Sequence, residues 1–435
     1  MKYLFVACLL CLSVLSAVAK VPAMNKIRLT NNWEYLKGDL GGIWEAVRPA
    51  APGSSEAVPI WQPVTLPHCF NAEDAVDPDV NYYEGPGWYK TLLAIDNPYR
   101  NGRIVLDFDG AGQKTDVYVY TTHVGSHVGG YDSWNVDITD AVKAFLGSKD
   151  AKRFKGKVPL SIRCDNSRDL EMIPSDLADF NIYGGLYRYL NLVYLPEVSF
   201  EQIRLESSLS SNLKEGILKV KTSFYNPEDI RKADVTVSVY DVDRKPVFSK
   251  TLEGILPLGD QLLAKMKIKN PVLWDVDVPQ LYTCELTVKT PDQTFTTEER
   301  FGFRHTEFKD KGPFFLNGKR LLLRGTHRHE DHAGVAQAMT EDMMRREMRM
   351  MKDMGVNFIR LGHYQQSEII LDLCDELGIL VWEEIPWCRG GLGGDVYKKQ
   401  ARRMLANMIV QHHNHPAVII WGLGNENDWP NDFNT

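Results

Sequence analysis

Between residues 320 and 426 one grammar repeats: a short apolar run, then a stretch with helical spacing, closed by glycine. The apolar runs fall at 320–324, 356–360, 379–383 and 417–423, with Leu321-Leu322-Leu323 and Val418-Ile419-Ile420 as clear cases. Apolar runs without alternation mark strands buried on both faces. Between them, spacing predicts helices over 341–354, 367–377 and 396–412. Thr340 can cap the first through its hydroxyl, with Glu341 and Asp342 at the positive end of the helix dipole. Gly355 and Gly378 suit the left-handed turn that stops a helix. Alternation of this kind demands a parallel sheet with crossover helices. Four such strands are half of a closed eight-stranded barrel, so residues 306–435 are expected to form an incomplete one.

Each strand ends in a polar cluster. Arg324 to His332 follow the first, Arg360 and Gly362-His363-Tyr364 the second, Glu383-Glu384 and Trp387 the third, Asn425-Glu426 the fourth. In a parallel sheet these ends lie together, and in barrels that end carries the chemistry. A lone strand-end Glu is usually only solvated; four converging clusters favour a site. Arg, His, Asn and Glu between Trp and Tyr walls suit a neutral polar ligand such as a sugar. Glu426 is then a candidate general acid/base. Retaining glycoside hydrolysis needs a second carboxylate about 5 Å away.

Upstream, residues 20–200 hold short runs rich in Val, Ile, Tyr and Trp between turn residues, such as 104–108, 115–120 and 190–194. They predict a β jelly-roll sandwich. Its crowd of aromatics (Tyr82, Tyr83, Trp88, Tyr89, Tyr131, Trp134, Tyr183, Tyr187) is expected mainly in the core. Residues 201–305 alternate at 235–240 and 286–288 and read as an immunoglobulin-like β-sandwich without chemistry of its own.

A net charge of −7 with no long Lys/Arg run argues against nucleic acid as a partner. Residues 1–19 have the form of a signal peptide: Lys2, an apolar core, then Ala17-Val18-Ala19. No stretch approaches the roughly 18 apolar residues of a membrane span. Export to the periplasm or the extracellular space is expected. Five scattered cysteines would remain, Cys69, Cys164, Cys284, Cys374 and Cys388, which is no disulfide framework.

At several points the chain resembles glycoside hydrolase family 2, the β-galactosidases, β-glucuronidases and β-mannosidases. The matching segments are Trp61-Gln62-Pro63-Val64-Thr65-Leu66-Pro67-His68, Gly85-Pro86-Gly87-Trp88-Tyr89, Gly184-Gly185-Leu186-Tyr187-Arg188 and Arg300-Phe301-Gly302-Phe303-Arg304. Further on come Leu316-Asn317-Gly318-Lys319 with Arg324 to Glu330, Asn357 to Tyr364, and Asn414-His415-Pro416 through Glu426. The resemblance implies a multidomain chain: jelly-roll sandwich, immunoglobulin-like sandwich, then the first half of a (β/α)8 TIM barrel. It implies retaining hydrolysis of a terminal β-linked sugar from an oligo- or polysaccharide. Glu426 would be the general acid/base and Asn425 would bind the sugar 2-hydroxyl. His329, Arg360 and His363 would line the sugar subsite, and Asp179 would reach in from the jelly roll.

Three positions depart from the pattern: His327 stands where the family has Asn, Gly362 where it has Ser, Gln365 where it has Pro. The family's nucleophile lies on the seventh strand, so the 435-residue chain alone is expected to lack turnover. β-Galactosidase is the expected activity, with β-glucuronidase or a non-catalytic carbohydrate-binding fragment as alternatives. No cofactor or metal is expected. His327-x-His329 does suit metal ligation, but a metal hydrolase would need further His and Asp ligands at later strand ends.

Overall fold

The computed structural model describes residues 21–22, 26–49, 59–175, 177–227, 231–389 and 393–427. The expected signal peptide, 1–19, lies outside them.

The first unit is a sandwich of antiparallel sheets. One runs Ile27–Arg28, Leu190–Leu195, Arg103–Phe108, Trp134–Asp137. The other has six strands: Gln62–Val64, Trp33–Lys37, Pro86–Leu93, Val158–Asp165, Lys114–Val119, Thr122–Val128. Inward residues alternate with outward ones, as in Lys114–Val119, where Thr115, Val117 and Val119 are buried. Trp33, Tyr89, Leu106, Phe108, Leu160 and Ile162 fill the space between the sheets. Trp88, Tyr131, Trp134, Tyr183 and Tyr187 are buried as well, so the aromatic crowd is chiefly core.

The second unit pairs a three-stranded sheet (Ser199–Leu209, Glu215–Tyr225, Gly259–Lys269) with a four-stranded one (Pro246–Ile255, Ala233–Tyr240, Tyr282–Lys289, Thr294–Phe301). Val220, Val235, Leu286 and Phe301 meet between them.

The third unit holds four parallel strands, β1 (Gly325–Arg328), β2 (Phe358–Leu361), β3 (Leu380–Glu384) and β4 (Val418–Gly422), in that spatial order. Three helices cover one face: α1 (Glu341–Asp353), α2 (Glu368–Leu377) and α3 (Asp395–His412). Thr340 caps α1 by accepting from Met343 N, and Gly378 ends α2 in the left-handed region at φ 67°. All five described cysteines are free and buried. Among the described residues no helix is long and apolar enough to cross a membrane.

One expected strand is misplaced. Residues 321–324 are not a strand, and Lys319–Arg320 instead closes a small sheet with Phe314–Leu316 and Thr306–Phe308. Leu321 and Leu323 pack against the barrel core while Leu322 is 69% exposed. Three leucines mimic a buried strand by composition, but the backbone pairing goes to the polar Gly325–Arg328, whose His327 pairs with Arg360.

The parallel sheet is clamped to both sandwiches. Arg188 of the jelly roll meets Glu330 at 3.0 Å through Nε, both side chains almost wholly buried. Tyr397 N at the start of α3 donates to Glu171 Oε2 at 3.0 Å, a cap supplied by another unit. Asn407 of α3 donates to Asp132 at 2.6 Å. On the other side Trp274 Nε1 donates to Asp375 O at 2.9 Å, and Leu205 N to Asn414 Oδ1 at 2.9 Å. These contacts hold the jelly-roll loop at Asp179 and Phe180 against the C-terminal ends of β1–β4.

Candidate active site

Strand parity decides which side chains face the sheet's open side. Arg360 pairs with His327 on one side and Trp382 on the other. Successive side chains alternate faces, so His329 and Glu384, two residues beyond those partners, share the face of Arg360. Arg328, Glu330 and Glu383 point the other way, where Arg328 meets Gln366 and Glu347, and Glu383 accepts from His412 at 2.7 Å.

On the open face Arg360 grips Glu384 through Nε at 3.0 Å and Nη2 at 2.7 and 2.9 Å. His363 Nδ1 lies 2.9 Å from Glu384 Oε1. The same Arg360 Nη2 donates to Asn425 Oδ1 at 2.8 Å. The far side of that amide meets Cys388 Sγ at 3.5 Å, and the thiol donates to Asp179 Oδ1 at 3.4 Å. Burial pushes the Cys388 thiol up to about 11, so it keeps its proton at neutral pH and remains a donor. Arg389 closes the chain, 3.6 Å from Asp179 and 3.9 Å from Glu426.

Glu426 stands at the rim with its side chain 64% exposed. Its φ is +51°, a left-handed conformation that costs a non-glycine residue about 1–2 kcal/mol. Such strain persists where surrounding structure imposes it. Here Asn425 N donates to Trp387 O at 2.8 Å and Arg389 N donates to Asn425 O at 2.9 Å, which fixes the turn that presents Glu426.

His329 Nδ1 lies 3.2 Å from the Tyr364 hydroxyl, which also accepts from Glu330 N at 3.0 Å. Phe180 lies against His363, with ring centroids 6.1 Å apart, and against Tyr364 at 5.2 Å. Burial, then the neighbouring imidazoles, hold His329 below the ordinary histidine range; burial does the same for His327. Both are neutral at neutral pH, able to accept as well as donate. The nitrogens of His327, His329 and His363 lie within 4.8 Å of one another, a geometry open to a metal ion.

The six residues singled out in the sequence are therefore brought together by a chain of contacts at the strand ends. Arg360, His363 and Asn425 join through Arg360, His329 sits beside His363, and Asp179 and Glu426 meet at Arg389. Glu384, Cys388 and Phe180 were not singled out individually. Counting in twos along β3 from the Trp382–Arg360 pair would have picked Glu384 over Glu383. Nothing local marks Cys388 or Phe180, which matter only through contacts across the fold.

Residues 40–196 match the sugar binding domain of glycosyl hydrolases family 2, residues 198–304 the model described simply as glycosyl hydrolases family 2, and residues 307–435 that family's TIM barrel domain. A crystal structure of Parabacteroides merdae β-glucuronidase with glycerol in its active site superposes with a TM-score of 0.94 at 99% identity, covering 97% of this chain and 53% of that one. A β-glucuronidase of Bacteroides fragilis is 32% identical over 83% of this chain and 53% of its own length. A β-galactosidase of Thermoanaerobacter pseudethanolicus is 28% identical over 90% and 50% respectively. The chain thus spans about half the length of the relatives it matches. With all three units matched in order, the chain belongs to glycosyl hydrolases family 2.

Proposed function

We propose that this chain supplies the acid/base half of a retaining exo-β-glycosidase acting on a terminal β-glucuronide. The observation that carries the reaction type is the Arg360–Asn425 contact at 2.8 Å. It holds an amide beside an exposed carboxylate at the mouth of parallel strands. Glu426 gives its proton to the leaving oxygen as the glycosidic bond breaks. It then takes a proton from the water that releases the sugar from the enzyme. Asn425 hydrogen-bonds the 2-hydroxyl, while His329, His363 and Arg360 line the sugar subsite and Asp179 borders it.

The attacking carboxylate comes from a strand beyond β4. Glu384 does not fill that role, because its side chain is fully buried and already held by Arg360 and His363. The relatives at higher identity are β-glucuronidases, which supports the β-glucuronide alternative over the β-galactoside expected at first. The signal-like residues 1–19 support export. A panel of aryl β-glucuronide, β-galactoside and β-mannoside substrates, given to the product of the whole reading frame, tests the reading. Preference for the glucuronide supports it, and preference for the galactoside returns the first expectation. The 435-residue chain alone should show no turnover with any of them.

A further inference from the structure

We propose that His327, His329 and His363 form a binding site for a d-block divalent cation, Zn²⁺ foremost, at the mouth of the parallel sheet.

The three rings come from two strand ends. His327 lies in β1 and His329 just beyond it, on one face because they are two residues apart. His363 arrives from the loop after β2. Ring centroids are 5.1 Å (His327–His329), 4.8 Å (His327–His363) and 5.4 Å (His329–His363) apart. Three nitrogens about 2.1 Å from a tetrahedral zinc lie roughly 3.4 Å apart. The observed spread, within 4.8 Å, closes to that by small ring rotations, and the exposed His327 is free to make them. Imidazole suits zinc, copper and nickel, whereas magnesium and calcium take oxygen ligands.

Two of the three rings have one nitrogen held by a neighbouring group. Metal-bound histidines almost always give their second N–H to a carboxylate, carbonyl or similar group, which fixes the ring. His363 Nδ1 meets Glu384 Oε1 at 2.9 Å, and His329 Nδ1 meets the Tyr364 hydroxyl at 3.2 Å. The Arg360 guanidinium, 3.3 Å from His363, would repel a cation, but the Glu384 carboxylate compensates its charge at 2.7 Å. In the other cluster of this kind among the described residues, Asp372, Asp375 and His415, the acids are already engaged: Asp375 by His415 and Ala417 N, and Asp372 by Arg300.

The site overlaps the sugar subsite, a consequence that rests on the proposed glycosidase reading. A bound cation and a sugar would then exclude each other.

The test titrates the untagged 435-residue chain with Co²⁺, following its visible d–d absorption, and then displaces Co²⁺ with Zn²⁺. One equivalent should bind. His327→Asn and His329→Ala should each weaken binding by about tenfold or more, with the metal-free melting curve unchanged. His332→Ala, outside the cluster, should bind as the parent does. Equal binding by the parent and both cluster variants, or no saturable signal, overturns the site. In the full-length enzyme, Zn²⁺ should raise KM for an aryl glycoside and spare kcat. Saturable Co²⁺ binding without that competition leaves the metal site standing and overturns its overlap with the sugar subsite.

Discussion

The Nη2 of Arg360 donates at once to Glu384, at 2.7 Å, and to Asn425 Oδ1, at 2.8 Å. One guanidinium thereby ties β2, the end of β3 and the turn after β4, and the orientation of the Asn425 amide depends on a carboxylate that stays buried. Glu384→Gln should leave Arg360 without its counter-charge and free to turn. In the full-length protein kcat/KM should fall by about ten- to a hundredfold, a loss of roughly 1.4–2.7 kcal/mol in transition-state binding. Steady-state kinetics on a stable aryl glycoside checks this, and an unchanged kcat/KM would show that Glu384 orients nothing.

The buried Arg188–Glu330 pair joins jelly roll to barrel, with Ser367 N donating to the second carboxylate oxygen at 2.9 Å. Removing one partner of a buried pair strands the other's charge, at about 3–5 kcal/mol. Glu330→Gln should therefore lower the urea midpoint markedly. A surface pair such as Arg244–Glu298, with the Arg side chain 57% exposed, should contribute less than about 1 kcal/mol. Comparing the two denaturation curves checks the contrast.

His415 gives a pH signature. Burial pulls its imidazole down, but Asp375, 2.7 Å away, outweighs that and holds it at about 9 against an ordinary 6.5. A folded-state value above the unfolded one stabilises the fold fully below pH 6.5, and the contribution is lost as pH rises through about 9. Melting temperature should drop between pH 6.5 and about pH 9, and His415→Gln should flatten that part of the profile.

Much of this fold is legible in the residues because periodicity reports burial. The three barrel helices fall within a residue or two of their expected ends, and for α1 and α2 the caps Thr340, Ser367 and Gly378 carry that chemistry themselves. The first barrel strand was not legible. Leucine content marks 321–323, whereas ladder pairing to β2 selects Gly325–Arg328, and pairing is a long-range property. At the site, strand-end position was enough to single out Arg360, His363, Asn425 and Glu426. Phe180 and Cys388 depend on how the jelly roll docks, which no local pattern encodes.

The most direct test of the acid/base assignment is leaving-group dependence in the full-length Glu426→Ala variant, with and without azide. A missing general acid should cost about 10²–10⁴-fold on substrates with poor leaving groups. Activated aryl glycosides should lose far less, and azide should restore turnover by capturing the sugar as its β-glycosyl azide. An equal loss for every leaving group, with no azide product, would contradict the placing of Glu426 as the acid/base.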